Sequence, residues 1–222
     1  MTWQEFATAW SGLHGGFDPD RATPLVRGWI RLAYRGGVLL ARLGVGPSAV
    51  TASGLALCLG VPAAALLGPA GLLLGALLVL LAAGADGLDG AVAVVTGRTS
   101  RLGFVYDSVA DRLGELAWLT AFWIAGAPGW LVVAGGAVSW LHEYIRARAA
   151  AGGMPGLGVV TLGERPTRVS VAACGLLIAG LAGLAHPAWA PTVIVAAAVA
   201  WAALGLAGLA QLTAAVRAEL SR

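Results

Sequence analysis

The sequence predicts an all-α integral membrane protein with six transmembrane helices preceded by an N-terminal amphipathic interfacial helix. Three observations carry this. Charged residues make up 11% of the chain and apolar ones 59%, whereas a soluble domain is about 25% charged. Charge-free runs extend from Leu43 to Ala85, from Leu116 to His142 and from Val169 to Val216, and one span needs about 20 apolar residues. The 14 cationic residues are all arginine, and they gather in alternate connections. This composition excludes a disordered chain and a coiled coil, and a net charge of +3 is too small to propose nucleic acid as a partner.

The elements follow in order. Trp3, Phe6, Trp10 and Leu13 recur at helical spacing. The start lacks the basic, apolar and small-residue succession of a cleaved signal peptide. After Pro24, Arg27, Arg31 and Arg35 fall four apart, with Leu25, Trp29 and Leu32 on another face. That pattern predicts a helix lying in the interface with its arginines toward anionic headgroups; an ordinary solvated basic helix is the alternative. Residues 1–47 form this N-terminal segment, 48–216 a six-helix domain and 217–222 a tail. The first charge-free run holds spans 48–67 and 70–96, divided near Gly68-Pro69. Spans 104–125 and 129–149 are divided at Gly126-Ala-Pro-Gly129. Spans 167–185 and 191–214 are divided by His186-Pro187 and Pro191.

The arginines test this count. Those from Arg21 to Arg42, together with Arg98, Arg101, Arg146, Arg148, Arg165, Arg168, Arg217 and Arg222, fall in or near segments 1–47, 97–103, 150–166 and 215–222. The opposite turns hold none, and Arg112 alone sits within a span. Both termini are therefore expected in the cytoplasm. Trp3, Trp10, Trp29, Trp130 and Trp189 suit bilayer anchoring, and Trp118, Trp140 and Trp201 suit packing. Cys58 and Cys174 read as small buried side chains, and His14 and His186 as isolated surface groups.

Four aspartates stand out. Asp86 and Asp89 lie late in the second span, and Asp107 and Asp111 early in the third. An aspartate at the bilayer centre costs about 2.5–3.5 kcal/mol on insertion scales, so such a cluster needs compensation. The i, i+3 and i, i+4 spacings put each pair on one helix face. A short turn makes the two helices antiparallel, so the pairs meet. Oxygen ligands without His or Cys suit Mg²⁺, Mn²⁺ or Ca²⁺. The alternative is pairing with Arg98, Arg101 and Arg112. Aspartates within spans also permit a divalent-cation transporter, although the charges gather on one side and no inverted repeat is visible.

The full constellation is Asp86-Gly-Leu-Asp89-Gly90-Ala-Val-Ala93-Val94, eight residues, Gly103, three residues, Asp107, three residues, Asp111. It resembles the signature of the CDP-alcohol phosphotransferase family, D-x2-D-G-x2-A-R-x8-G-x3-D-x3-D, at seven of eight fixed positions. Pro47-Ser-Ala-Val-Thr51 is similar to that family's Pro-x-x-x-Thr start, and the family's six spans preceded by an interfacial helix match the hydropathy reading. The one departure is Val94, where the family has arginine; Arg98, one helical turn further on, is the candidate to take its place. A catalytically inactive CDP-binding relative is the alternative this departure raises.

The resemblance implies transfer of a substituted phosphate from a CDP-alcohol, often CDP-diacylglycerol, to an alcohol, with release of CMP in phospholipid synthesis. It implies two divalent cations, Mg²⁺ or Mn²⁺, held by Asp86, Asp89, Asp107 and Asp111. Asp111 would also be the general base. Thr51, Gly90, Ala93, Arg98 and Gly103 would line the donor site. Tyr144-Ile-Arg-Ala-Arg-Ala and Glu164-Arg-Pro-Thr-Arg168 are similar to bacterial members that take glycerol phosphate or inositol phosphate, which points Arg146, Arg165 and Arg168 at an acceptor phosphate. Arg148 belongs to the same cluster, and positive-inside topology alone is the alternative reading of it. His142 and Glu143 close the fourth span, where Glu143 suits an ion pair with Arg112, and Glu115 suits a supporting carboxylate. A homodimer in a bacterial inner membrane, with a cytoplasmic active site, completes the expectation.

Overall fold

The computed structural model describes residues 1–13, 16–154 and 160–221 and, of Leu25, the backbone alone. His14, Arg222 and the Leu25 side chain, each given a place above, lie outside the described residues. Those residues form helices without strands. They are α1 (Trp3–Leu13), a single 3-10 turn (Pro19–Arg21), α2 (Pro24–Arg42), α3 (Pro47–Ala65), α4 (Gly68–Thr96), α5 (Arg101–Ile124), α6 (Gly129–Ala151), α7 (Arg165–Ala185) and α8 (Trp189–Leu220).

Four of these, α3, α4, α7 and α8, are long and apolar enough to cross a membrane. Helices α5 and α6 stand where spans 104–125 and 129–149 are expected, but each carries several ionisable residues. Asp107, Asp111, Arg112 and Glu115 lie on α5, and His142, Glu143, Arg146 and Arg148 on α6.

Local chemistry sets the boundaries. Thr23 caps α2 by accepting from the Val26 amide at 3.5 Å, with Pro24 at the first helical position. Helix α4 ends in a left-handed Gly97 (φ +65°). The amides of Gly97 and Arg98 donate back to the carbonyls of Val94 (3.2 Å) and Ala93 (2.9 Å). This paired reversal satisfies two carbonyls that the helix end would otherwise orphan. Ser100 then opens α5, its Oγ accepting from the Gly103 amide at 3.0 Å. A Cβ on Gly103 would stand 3.0 Å from that Oγ, so glycine leaves room for the cap. Arg98 therefore lies in the reversal rather than one turn further along a continuing helix.

The chain forms two compact units: residues 1–56 with 82–111, and residues 57–81 with 112–222. In the first, Phe6, Ile30, Ala33, Ala91 and Val94 form a buried cluster, flanked by Trp3, Trp10, Tyr34 and Val95. Phe6 is completely buried, with ring centroids 5.0 Å from Tyr34, 5.4 Å from Trp10 and 5.9 Å from Trp3. Trp3 donates its indole N–H to Asp20 Oδ1 (3.1 Å) and carries the Arg31 guanidinium 5.1 Å above its ring. Trp3, Phe6 and Trp10 of the α1 stripe thus pack against α2 and α4, while Leu13 is exposed.

In the second unit α6 and α7 pack on α8. Trp118 and Trp201 are buried, and Trp201 donates to Ser139 Oγ at 2.9 Å. Two expectations are corrected. Trp140 is 49% exposed rather than packed, and Cys174 is exposed while Cys58 is buried. On a helix surrounded by lipid an apolar side chain gains as much outside as inside. Gly208 and Gly163 meet backbone to backbone, where a Cβ on Gly208 would strike Gly163 N and Cα.

Candidate active site

Helices α4 and α5, reversed on each other by the Gly97–Ser100 turn, bring carboxylates together. Asp86, Asp89 and Asp107 each offer an oxygen within 4.8 Å of the others. Asp89 is buried, and Asp86 and Asp107 are half-buried. Asp111 lies one turn beyond Asp107 on the same helix face, outside that trio and half-buried. Thr51, on the first turns of α3, places its hydroxyl 2.6 Å from Asp89 Oδ2, closer than the 3.1 Å to the Pro47 carbonyl. A hydroxyl donating to one carboxylate oxygen orients the other. Three converging hard oxygen donors suit a divalent cation of the Mg²⁺ or Mn²⁺ kind and exclude a soft thiolate or imidazole site.

The flanking surface of α4 is made for close approach. Gly87, Gly90, Ala91 and Val94 recur at i, i+3, i+4 and i+7, next to the face of Asp86, Asp89 and Ala93. A Cβ on Gly87 would lie 3.3 Å from the Trp29 ring, and one on Gly90 3.9 Å from the Trp10 ring. Ala93 is half-buried, and Val94, standing where arginine was expected, is 4% exposed in the Phe6 cluster. Arg98 is exposed, its Nη1 3.7 Å from where a Gly46 Cβ would be.

The second unit holds a polar network of its own. Arg168 donates through Nη1 to both oxygens of Glu115 (2.7 and 2.9 Å), through Nη2 to Glu143 Oε1 (2.7 Å) and through Nε to the Gly163 carbonyl (2.8 Å). Arg112 closes the ring, 3.0 Å from Glu115 Oε1 and 3.5 Å from Glu143 Oε1. Two guanidinium groups and two carboxylates balance, which is how charge survives burial. Next to it Arg146 pairs with Glu164. The Glu164 Oε1 also accepts from the Thr161 amide and hydroxyl, each at 3.0 Å. His142 Nε2 and Thr161 Oγ1 are 2.8 Å apart, and Gln211 Oε1 accepts from the Leu162 amide at 2.9 Å. These bonds pin residues 161–164 ahead of α7. Arg165 is half-buried at the first position of that helix.

The sequence profile of the CDP-alcohol phosphatidyltransferases matches residues 45–211. The chain belongs to that family. As a CDP-alcohol phosphatidyltransferase it is an integral membrane transferase of substituted phosphate groups, acting in phospholipid synthesis with divalent metal as cofactor. The phosphatidylinositol phosphate synthase of Mycobacterium marinum is 36% identical over 168 residues, 71% of this chain and 68% of the relative. The archaetidylinositol phosphate synthase of Aeropyrum pernix is 36% identical over 139 residues, 61% and 70% of the two chains. The crystal structure of the Mycobacterium tuberculosis phosphatidylinositol phosphate synthase with CDP-DAG bound superimposes with a TM-score of 0.62 at 27% identity, covering 84% of this chain and 94% of that one. The same synthase in complex with manganese and citrate gives 0.65 at 26%, covering 83% and 88%.

Within this phosphatidyltransferase the motif residues Asp86, Asp89 and Asp107 come together with Thr51 beside them, while Arg168 is engaged by internal partners. Sequence reasoning anticipated the Arg112–Glu143 pair, which stands at 3.5 Å, but missed that Glu115 and Arg168 join it in a four-way junction. Its one sequence signal is charge balance: two acids and two arginines isolated in otherwise apolar helices must find one another. It also missed α1 as a partner of α4, although Val94 in an arginine position was the signal for it.

Proposed function

We propose that this enzyme transfers the phosphatidyl group of CDP-diacylglycerol to inositol phosphate and releases CMP. The observation that carries the reaction is the carboxylate trio Asp86, Asp89 and Asp107 with Thr51 hydrogen-bonded to Asp89. The acceptor rests on the inositol-phosphate products named for the relatives.

Asp86, Asp89 and Asp107 hold the metal, and Asp111 joins them when two cations bind. Bound there, divalent metal neutralises the diphosphate and stabilises charge on the attacking and leaving oxygens. Thr51 keeps Asp89 turned toward the diphosphate. Gly90, Ala93 and Gly103 let the nucleotide approach the backbone. Asp111 Oδ takes the proton of the acceptor hydroxyl as its oxygen attacks phosphorus and CMP departs. Arg98 contributes positive charge from the α4–α5 turn. Arg146 and Arg165 bind the acceptor phosphate, and Arg168 holds residues 161–164 and α6 in place beneath them.

All six helices α3 to α8 span the membrane, with residues 1–47 at the cytoplasmic surface, residues 48–216 as the membrane domain and 217–222 as a tail. The termini and active site face the cytoplasm of a bacterial inner membrane, a reading supported by the arginine distribution, and the enzyme acts as a homodimer. The test is CMP release by purified protein with CDP-diacylglycerol and Mg²⁺ or Mn²⁺, against inositol phosphate, glycerol phosphate, inositol and serine. Release with inositol phosphate alone is expected; equal or greater release with another acceptor overturns the acceptor assignment.

A further inference from the structure

Residues 1–44 lie outside the stretch that matches the family, yet α1 packs on its motif helix. We propose that α1 is an added wall of the donor site, in which Trp10 contacts the nucleotide of the CDP-alcohol and Val94 is the seat that lets α1 dock. The proposal rests on the phosphatidyl-transfer reading above and names a recognition residue that the motif does not contain.

Three observations converge. The first is position. Gly90 is four residues from Asp86 and three from Ala93, and also three from Gly87 and four from Val94, so it lies at the seam between the carboxylate face and the α1-facing surface of α4. The Trp10 ring rests on that seam, 3.9 Å from where a Gly90 Cβ would be. Asp89, whose carboxylate belongs to the metal trio, is the adjacent residue.

The second is rigidity. Phe6, wholly buried, packs at tilted ring angles against Trp10, Trp3 and Tyr34. Trp3 is tied to Asp20 and covered by Arg31, and the Tyr34 hydroxyl donates to the Met1 carbonyl at 2.8 Å. An indole held by such a cluster has already lost its rotamer freedom, so contact with a planar base carries little further entropic cost. Trp10 keeps a partly exposed surface for that purpose.

The third is the seat. Val94 is 4% exposed within the Phe6 cluster. An arginine there would bring its charge under Phe6, where an unpaired guanidinium is strongly disfavoured. Valine at this one departing motif position is therefore what docking of α1 requires, and the Trp10 indole supplies the nucleotide with an aromatic partner in place of the guanidinium. An indole and a cation both attract a nucleotide, by stacking on the base and by charge on the phosphate respectively.

The experiment measures CDP binding to full-length, Mn²⁺-loaded protein by calorimetry, together with KM for CDP-diacylglycerol and for the acceptor, in wild type, Trp10→Ala, Trp10→Phe and Phe6→Ala. Base stacking on an aromatic side chain predicts CDP affinity and donor KM weakened about fivefold or more in Trp10→Ala. Recovery is expected in Trp10→Phe, the same loss in Phe6→Ala through undocking, and no change in acceptor KM. Trp10→Ala binding CDP like wild type overturns the proposal, as does tighter binding or faster turnover, which would make α1 an obstacle. Wild-type protein that binds no CDP overturns the phosphatidyl-transfer reading, and this proposal with it.

Discussion

Replacing Arg168 with leucine removes the centre of the buried network. Arg168 and Glu115 side chains are 4% and 1% exposed. The substitution deletes two bonds to Glu115, one to Glu143 and one to the Gly163 carbonyl. Breaking a buried pair from one side costs about 3–5 kcal/mol because the remaining charge stays desolvated. Arg112, 3.0 Å from Glu115 Oε1, still compensates one oxygen, which favours the lower end, about 3 kcal/mol. For a chain of this length that is a fall in Tm of about 6–12 °C, readable by thermal denaturation in detergent. The sharper test is the pair. Arg168→Leu with Glu115→Leu removes both charges, so it should be at least about 1 kcal/mol more stable than Arg168→Leu alone. If the two losses simply add, the network is not an energetic unit and the reasoning fails.

Asp111→Asn should lower kcat about 10²–10⁴-fold, as expected for loss of a general base, while CDP binding measured by calorimetry persists; robust turnover would refute the role. Thr51→Val should raise the Mn²⁺ concentration for half-maximal CMP release about 10–100-fold, because Asp89 loses its orienting donor. Chelation by EDTA should abolish CMP release, and added Mg²⁺ or Mn²⁺ should restore it. Val94→Arg, which restores the family residue, should loosen α1 and speed chymotryptic cleavage at Phe6 and Trp10, checked by mass spectrometry.

Much of this was legible in the sequence because a few positions admit one reading. Gly68-Pro69, Gly126 to Pro128 and His186-Pro187 interrupt apolar runs, and helices α3 to α8 end or begin there. The i, i+3 and i, i+4 spacings of the aspartates dictate shared faces, and Asp86, Asp89 and Asp107 meet accordingly. Other features were not legible, for physical reasons. A stripe of Trp3, Phe6 and Trp10 looks the same whether it faces lipid or another helix. Exposure of Trp140 and Cys174 is equally silent, since lipid and protein interior are both apolar. The partners of Arg168 lie 53 and 25 residues away, beyond any local pattern. Capping by Ser100 was local but hidden, because the Gly103 that makes room for it also fits the motif.

The packing of Phe6 on Val94 constrains the order in which such a chain could have arisen. Arginine at 94 with α1 docked sets a cation beneath a sealed aromatic ring; valine at 94 with α1 missing leaves the site with neither the motif arginine nor the indole. With Trp10 in the proposed role, each intermediate should be worse than either end state, so helix and valine would behave as a ratchet. Once both are present, neither reverts alone, and a change at one site should be tolerated only in a background where the other has already moved.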